Sequence, residues 1–304
     1  MRRSRIEKFA DNHRLKRMLK DLPPSSTLHY KNVRYFLDIY RTLFTDISVI
    51  CVHLLNSIKL EDLFSKPMLS PATLMLHYLS ERIVVTPFHI INIITRDPKY
   101  AHSDIAALNR GLFESSLNFC FLISKDQDMR FRQYYLSSVN QEFRIQKSMG
   151  KYTVSENVNL RKPAEKQKNI KNSTTEEIAN EVRDLIGDVG RFPNIWNRCE
   201  ALGEDWMFSY DSKYRGLSSW QHGDVSRAFM TQTMSQLDPA EAERPVFESL
   251  AQCAWAWDIA LKYAETLQAI CKAPSISDKL SYLDHAGYQA MTESIGEAIH
   301  KYQI

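Results

Sequence analysis

The stretch DIAALNRGLFESSLNFCFLIS, residues 104–124, decides the fold. Apolar side chains lie on nearly every side of the helix that this stretch would form: Ile105, Leu108, Leu112, Phe113, Leu117, Phe119, Phe121 and Leu122. A helix that is apolar all round is buried in the core of a protein. We therefore expect this helix to be central, with other helices packed around it.

The same helix carries a polar stripe, in which Arg110, Glu114 and Asn118 follow one another at a spacing of four. Residues at that spacing share one helical face. Because buried charges are costly unless they are paired, the stripe needs a partner inside the protein. Two interpretations stay open: an internal salt bridge between helices, or one wall of a pocket in which Arg110 binds an anion.

Helical spacing of apolar residues continues on both sides of this stretch. Further helices are predicted over 33–58, from Pro71 toward Ile94 with a break at Pro87, over 128–149, from Asp238-Pro239 to about Ile270, and over 277–302. We find no strand pattern and no internal repeat. The 9 glycines and 11 prolines are too few for the many tight turns of a sandwich or barrel. The predicted fold is all-α, a single bundle of about eight to ten helices.

Two basic segments flank or interrupt this bundle. Residues 1–26 are predicted to be a basic N-terminal arm, and residues 27–304 the helical bundle domain. Residues 150–174 have many Lys and Asn and no apolar periodicity, which is typical of a mobile insertion. Its Lys162, Lys166 and Lys168 are candidates for nucleic-acid contacts. The alternative is a solvated loop without a partner.

Composition narrows the functional class. The net charge of +3 is too small to indicate nucleic acid by itself. Five scattered cysteines without a CxxC motif indicate a reduced, cytoplasmic protein without a disulfide framework. The longest apolar run, Ile83–Ile94, is shorter than the roughly 20 residues that cross a bilayer. We therefore expect no membrane attachment.

Several catalytic motifs are missing from the sequence. There is no phosphate-cradling glycine loop, no HExxH, no nucleophile elbow and no paired metal-ligand spacing. This pattern argues against an NTPase, a zinc hydrolase and an α/β-hydrolase. The sequence accordingly indicates no metal ion and no cofactor.

Polar groups with catalytic potential cluster in the segment YRGLSSWQHGD, residues 214–224. In a helix, Tyr214, Ser218 and His222 would share one face at a spacing of four, and Arg215 and His222 would also share a face. A phenol, a hydroxyl, a base and a cation would then converge. The set is interpreted as a catalytic site, as a buried hydrogen-bond network that fixes helix register, or as a binding pocket.

The pair Arg215-x6-His222 resembles the loose Arg-x(4–6)-His pattern of the HEPN superfamily of helical ribonucleases. The chain holds two other such pairs, Arg82…His89 and Arg96…His102. Only the pair at 215 and 222 lies among other reactive side chains. Gly216 departs from the usual HEPN form, in which a polar residue commonly follows the arginine.

A second resemblance rests on the order of several motifs. LNRGLFE at 108–114 looks like the R-x3-E signature helix of a family of uncharacterised helical bacterial proteins, and the segment from Tyr214 to His222 follows in the same order. The resemblance covers about residues 70–265. Members of that family tend to occur near mobile elements and antiphage defence genes, which implies a role in bacterial defence or toxicity.

These observations lead to three functional hypotheses. The first is a metal-independent ribonuclease acting on RNA, with His222 as general acid or base, Arg215 and Arg110 as phosphate clamps, and Tyr214 and Ser218 as orienting groups. HEPN sites usually form across a dimer, so this hypothesis expects a homodimer. The second is a non-catalytic sensor or scaffold bound to a second defence protein. The third is a pocket for a small ligand such as a nucleotide.

Overall fold

A computed structural model describes residues 13–21, 33–97, 101–152, 189–216 and 244–302, together with positions 180, 184 and 187. The described residues form α-helices and short helical turns, without a strand among them. The α-helices in chain order are α1 His13–Lys20, α2 Val33–Leu55, α3 Lys66–Arg96, α4 His102–Ser124, α5 Gln127–Tyr152, α6 Ile195–Leu202, α7 Glu204–Ser209, α8 Arg244–Ile270 and α9 Ser277–Tyr302. The predicted all-α class is confirmed.

Helix α4 lies at the centre of the bundle, as its apolar pattern predicts. It packs mainly against α8 and α3, and also against α5 and α6. Phe119 of α4 is fully buried and meets the ring of Tyr263 of α8 edge to face, with 5.1 Å between ring centroids. Burying such an aromatic side chain contributes on the order of 1.5–3 kcal/mol. The interface of α4 with α8 therefore forms the main core.

One polar contact crosses this apolar interface. The amide of Asn109 on α4 is fully buried and donates to Gln252 on α8, to the backbone carbonyl at 2.8 Å and to Oε1 at 2.9 Å. A buried amide that pairs in only one alignment fixes the helices relative to each other. Asn109 and Gln252 thus set how the two central helices align.

Helices α1 and α2 close one side of the core. The amphipathic pattern predicted from Val33 is confirmed, with the helix ending at Leu55, and Phe44 contacts Trp257 of α8 with ring centroids 5.9 Å apart. Helix α1 lies within the predicted basic arm. Its Leu15 and Leu19 are buried, and the hydroxyl of Tyr35 donates to the carbonyl of Met18. The described part of this segment therefore packs on the bundle.

The predicted helix start at Pro71 and the predicted break at Pro87 are wrong, because α3 runs continuously from Lys66 to Arg96 through both prolines. A proline inside a helix removes one backbone hydrogen bond. Here packing compensates, since Ile83 and Ile90 on either side of Pro87 are buried in the core. The hydroxyl of Thr86 also donates to the carbonyl of Arg82 at 2.6 Å. Tertiary contacts have overridden a local helix-breaking signal.

A fully paired ionic contact ties α3 to α5. Asp128 Oδ1 accepts from the backbone N–H of Ser65 at 2.9 Å and from its hydroxyl at 2.6 Å, and Asp128 Oδ2 pairs with Arg132 Nε at 2.7 Å. Burial raises the pKa of Asp128, but the hydrogen bonds from Ser65 and the charge of Arg132 together lower it below its ordinary value. The contact fixes the start of α3 against α5.

Arg130 secures the end of α4. It is buried, and its Nη1 donates to the carbonyl of Phe121 and to the hydroxyl of Ser124, both at 2.7 Å. A cation that binds the last carbonyls of a helix complements the helix dipole. Arg130 therefore has a structural role. None of the helices in the described part of the chain combines the length and apolarity needed to cross a membrane.

Candidate functional site

The ion pair of the polar stripe lies within α4, and not between helices as one interpretation of the sequence expected. Arg110 Nε and Glu114 Oε1 form an ion pair at 2.9 Å, one helical turn apart. The hydroxyl of Tyr214 donates to the same Oε1 at 2.7 Å, and Asn118 Nδ2 donates to the hydroxyl of Tyr134 at 3.5 Å. Glu114 is therefore the acceptor on which Arg110 and Tyr214 converge. We call these three residues the Glu114 centre.

A widened helical turn positions Tyr214. Helix α7 begins after Gly203, whose φ of 110° favours glycine, and it continues into a π-helical turn, Tyr210–Tyr214. π-helical turns are frequent at functional sites. The turn stacks Tyr210 on Tyr214 with ring centroids 5.4 Å apart, and Phe113 packs against Tyr214 at 5.1 Å. The ring of Tyr214 is thus held rigidly while its hydroxyl points at Glu114.

The electrostatics of the Glu114 centre keep Tyr214 protonated. Burial raises the pKa of Tyr214 well above its ordinary value, and the hydrogen bond to Glu114 raises it further. The hydrogen bond to Glu114 also raises the pKa of Arg110, whose guanidinium lies 5.3 Å from the centroid of the Tyr214 ring. Tyr214 is therefore a hydrogen-bond donor rather than a proton acceptor, and Arg110 stays charged.

The structure separates Arg215 from Tyr214. The Arg215 side chain is 70% exposed, and its Nη1 lies 3.4 Å from Asp211 Oδ1. Tyr214 by contrast is only 6% exposed. Consecutive residues of a helix point about 100° apart, so one faces the core and the other the solvent. The predicted cation of the site therefore lies at its surface.

The remaining predicted site residues lie outside the described residues. They are Ser218, His222, Lys162, Lys166 and Lys168. Of the six residues assigned to the catalytic and anion-binding groups, the structure brings together Arg110, Glu114 and Tyr214, and Arg215 follows Tyr214 in the chain.

Arg198 is a further polar residue of the site that sequence reasoning missed. Its side chain is buried, its Nε donates to the carbonyl of Asn194 at 3.2 Å, and its guanidinium lies 4.9 Å from the ring centroid of Phe192. Asn194 also caps α6, because its Oδ1 accepts from the backbone N–H of Asn197 at 2.9 Å. Burial lowers the pKa of Arg198, while the charge of nearby Glu114 opposes this shift.

Arg82 and Tyr134 complete the polar surroundings of α4. A Cβ added to Gly111 would lie 3.0 Å from the Nη2 atom of Arg82, so the guanidinium of Arg82 rests against the bare backbone of α4. Tyr134 packs against Phe192 with ring centroids 4.9 Å apart. Burial raises the pKa of Tyr134, and the charges of Arg198 and Arg82 both oppose that shift. The arginines therefore lie close enough to Tyr134 to act on its hydroxyl.

The sequence contained one weak signal for these residues. Arg82 belongs to a second Arg-x6-His match, with His89, but that pair does not lie among other reactive side chains in the sequence. His89 is exposed. Arg198 lies in a short helix with no periodicity of its own, so only the tertiary structure reveals its position.

Other chemistries have little support in the described residues. They contain no group of three side chains suited to hold a metal ion. Cys51, Cys120, Cys199 and Cys253 are buried free thiols, as expected for cysteines that pack as small hydrophobic residues. Burial raises the pKa of Cys120 and of Cys199 to about 12. These two thiols are therefore protonated at neutral pH and poor nucleophiles.

The fold and the site together define an all-α protein with an arginine-rich polar cluster on its central helix. Residues 91–236 match the model of a protein family of unknown function, DUF5677. The match extends over just under half of the 304-residue chain and includes the whole Glu114 centre. The resemblance to an uncharacterised family is thereby confirmed, over a narrower range than 70–265. No curated protein and no solved structure matches the chain.

Proposed function

We propose that this protein is a metal-independent, HEPN-like ribonuclease that acts as an effector of bacterial defence in the cytoplasm. The observation that carries the proposal is the hydrogen bond from Tyr214 to Glu114, which joins residues 100 positions apart. It anchors the first residue of the segment from Tyr214 to His222 beside Arg110. His222, which is predicted to share a helical face with Tyr214, would then lie in one site with Arg110, and Arg215 would reach the substrate from the solvent-exposed side.

The proposed reaction is attack of a ribose 2′-hydroxyl on the adjacent phosphorus. His222 would take the 2′-hydroxyl proton as general base or return a proton to the departing 5′-oxygen as general acid. A 2′,3′-cyclic phosphate and a 5′-hydroxyl would result. Arg110 and Arg215 would stabilise the additional negative charge of the phosphorane, and Ser218 would orient the substrate. The contacts of Tyr214 support a positioning role, because its proton is committed to Glu114.

The remaining parts of the proposal concern binding and assembly. Lys162, Lys166 and Lys168 would contact the RNA backbone outside the cleft. A homodimer would bring two such clefts together, as in HEPN ribonucleases. The role in defence rests on the resemblance of the R-x3-E helix and the Tyr214 segment to a family found near mobile elements.

The test is incubation of the purified protein with total RNA and tRNA in EDTA. The wild type should cleave the RNA and leave 2′,3′-cyclic phosphate ends, which terminal-phosphate analysis detects. His222→Ala should abolish cleavage. The matched control is His285→Ala, which removes an exposed histidine of α9 and should cleave like the wild type. Cleavage that survives in His222→Ala, or intact RNA with the wild type, would overturn the proposal.

A second candidate function is a non-catalytic scaffold that binds another defence protein. It is favoured by the tight packing of Tyr214 between Phe113 and Tyr210, which suits a structural network as well as a reactive site. Under this alternative, Tyr214→Phe would lower the melting temperature, and neither the wild type nor any variant would cleave RNA. Under the ribonuclease proposal, the same variant would also slow cleavage beyond its effect on stability.

A further inference from the structure

We propose that Arg82, Arg198 and Tyr134, supported by Asn118, form an anion subsite that binds a phosphate group of the RNA. The subsite lies beside the Glu114 centre and is contributed by α3, α4, α5 and α6. As an account of how RNA is held, the proposal rests on the proposed function. As an anion site, it stands on the contacts of these four residues.

Arg198 provides a buried cation whose charge no ion pair among the described residues neutralises. The side chain is only 8% exposed, and a buried guanidinium is costly without an anion. Its hydrogen bond within the described residues goes from Nε to a neutral carbonyl, that of Asn194. No carboxylate in the described part of the chain forms an ion pair with it. Glu114 acts on it only at longer range, and Glu114 is itself engaged by Arg110 and Tyr214.

Arg82 of α3 provides a second cation. Its guanidinium lies against the backbone of Gly111 and 5.9 Å from the ring centroid of Tyr78. Like Arg198, it forms no ion pair with a carboxylate among the residues that the structure describes. Any side chain at position 111 would crowd this guanidinium. The glycine therefore lets Arg82 approach α4 at the level of the polar stripe.

Tyr134 and Asn118 supply the hydrogen-bonding groups of the subsite. Asn118 Nδ2 donates to the Tyr134 hydroxyl at 3.5 Å, which leaves the hydroxyl proton available for an anion. The Oδ1 atom of Asn118 is buried and has no hydrogen-bond partner in the described residues. Buried polar atoms without partners are rare in folded proteins and call for an explanation. Because Oδ1 is an acceptor, it does not bind an anion, and Asn118 contributes to the subsite only through its hydrogen bond to the Tyr134 hydroxyl.

The chemistry of the subsite fits a phosphate group. Two guanidinium groups and a hydroxyl donor match the several oxygen acceptors of a phosphate, and arginine binds phosphate through paired hydrogen bonds. The positive charge here exceeds that of the Glu114 centre, in which Arg110 already has its carboxylate. The phosphate could belong to an RNA chain or to a free nucleotide, and these two sources are separated by the choice of probe.

The test measures binding without cleavage. The probes are a 2′-O-methyl oligoribonucleotide, which lacks the attacking hydroxyl, and AMP. Titrations compare the wild type with Arg82→Gln and Arg198→Gln. The matched control is Arg41→Gln, which removes a half-exposed arginine of α2 that pairs with Asp38. Arg82 is exposed, so its variant should fold normally even if Arg198→Gln does not.

The proposal expects Arg82→Gln to weaken oligonucleotide binding about tenfold or more, as loss of a charged hydrogen-bonding pair predicts. The slope of log affinity against log salt should also fall by about one. Arg41→Gln should stay within about twofold of the wild type. A stronger effect on AMP than on the oligonucleotide would overturn RNA as the source of the phosphate. Equal affinities of Arg82→Gln and Arg41→Gln, or no binding of either probe by the wild type, would overturn the subsite.

The outcome is separable from that of the ribonuclease proposal. Binding that depends on Arg82 in a protein that never cleaves RNA would retain the subsite and reject the ribonuclease. Cleavage that depends on His222 but is indifferent to Arg82 would retain the ribonuclease and reject the subsite. Each proposal can therefore fail without the other.

Discussion

The two sides of helix α4 differ in how they balance polar groups. On the side facing α8, the buried amide of Asn109 is held by Gln252 among apolar side chains such as Phe119. On the other side lie three arginines, Arg82, Arg110 and Arg198, and among the described residues only Arg110 pairs with a carboxylate, that of Glu114. The core side is mainly apolar and carries no excess charge, although Asn109 Oδ1 has no hydrogen-bond partner among the described residues. The polar side carries more positive than negative charge, which is the condition expected of a site that awaits an anion.

The largest loss of stability should come from truncating a buried side chain in the interface of α4 with α8. Phe119→Ala removes a fully buried ring that meets Tyr263 edge to face. Such a truncation typically costs about 3–5 kcal/mol of unfolding free energy, because lost burial and a residual cavity add together. Urea denaturation followed by circular dichroism measures this loss. Leu74→Ala, at a side chain 70% exposed, is the control and should change stability by about 0.5 kcal/mol or less.

Glu114→Gln should lower the free energy of unfolding and at the same time strengthen oligonucleotide binding. The substitution removes the acceptor charge shared by Arg110 and Tyr214. Hydrogen bonds to a charged group contribute about 1.5–3 kcal/mol, and we expect a loss at the lower end because Glu114 is partly exposed. Binding of the 2′-O-methyl oligonucleotide should tighten, since a carboxylate no longer repels the phosphate.

Denaturation and titration of the same preparation check both effects. The control is Glu200→Gln, at an exposed position of α6, which should change neither quantity beyond error. Weaker oligonucleotide binding by Glu114→Gln at unchanged fold would contradict the view that the polar side has an excess of positive charge.

The sequence predicted the core side better than the polar side, for a physical reason. Apolar periodicity reports directly on burial, so residues 104–124 revealed the central helix and its stripe of Arg110, Glu114 and Asn118. The stripe's need for a partner also followed from the cost of burying charge. The periodicity could not show that Arg198, 88 positions after Arg110 in the chain, would reach the same face.

Local rules also failed where packing outweighed them. Pro87 signals a break, yet α3 continues through it because Ile83 and Ile90 are anchored in the core. Arg82, which precedes Pro87 in the same helix, rests against Gly111 of α4.

The contact of Ser65, Asp128 and Arg132 is a polar network in which the charges are paired, unlike those of two of the arginines on the polar side of α4. Its contribution to stability should depend on pH. The folded-state pKa of Asp128 lies below its ordinary value of 3.8. The stabilisation is therefore present above the unfolded-state pKa and is lost as pH falls through the lowered folded-state pKa. Asp128→Asn should cost about 1 kcal/mol at pH 7, and its difference from the wild type should shrink toward about pH 3.

Urea midpoints of both proteins across this pH range measure the change. Asp38→Asn, at an exposed ion pair of α2, serves as the control and should lie near the wild type at every pH, since exposed pairs contribute little. An Asp128→Asn penalty that stays constant down to about pH 3 would show that the carboxylate charge does not stabilise this contact.

Gly111→Ala should give the smallest changes in stability and binding, and it alters only the polar side of α4. Alanine in the interior of a helix is favoured over glycine by about 0.5–1 kcal/mol. The new Cβ would lie 3.0 Å from Arg82 Nη2, and the exposed, flexible end of Arg82 can shift by a few tenths of an ångström. We therefore expect stability to rise slightly while oligonucleotide affinity falls about two- to threefold, roughly 0.4–0.7 kcal/mol. Titration and denaturation of one sample measure both changes. The substitution removes no charge, so any change in affinity reports on the position of Arg82 alone. Unchanged affinity in the stabilised variant would therefore show that the close approach of Arg82 to α4 makes no contribution to binding.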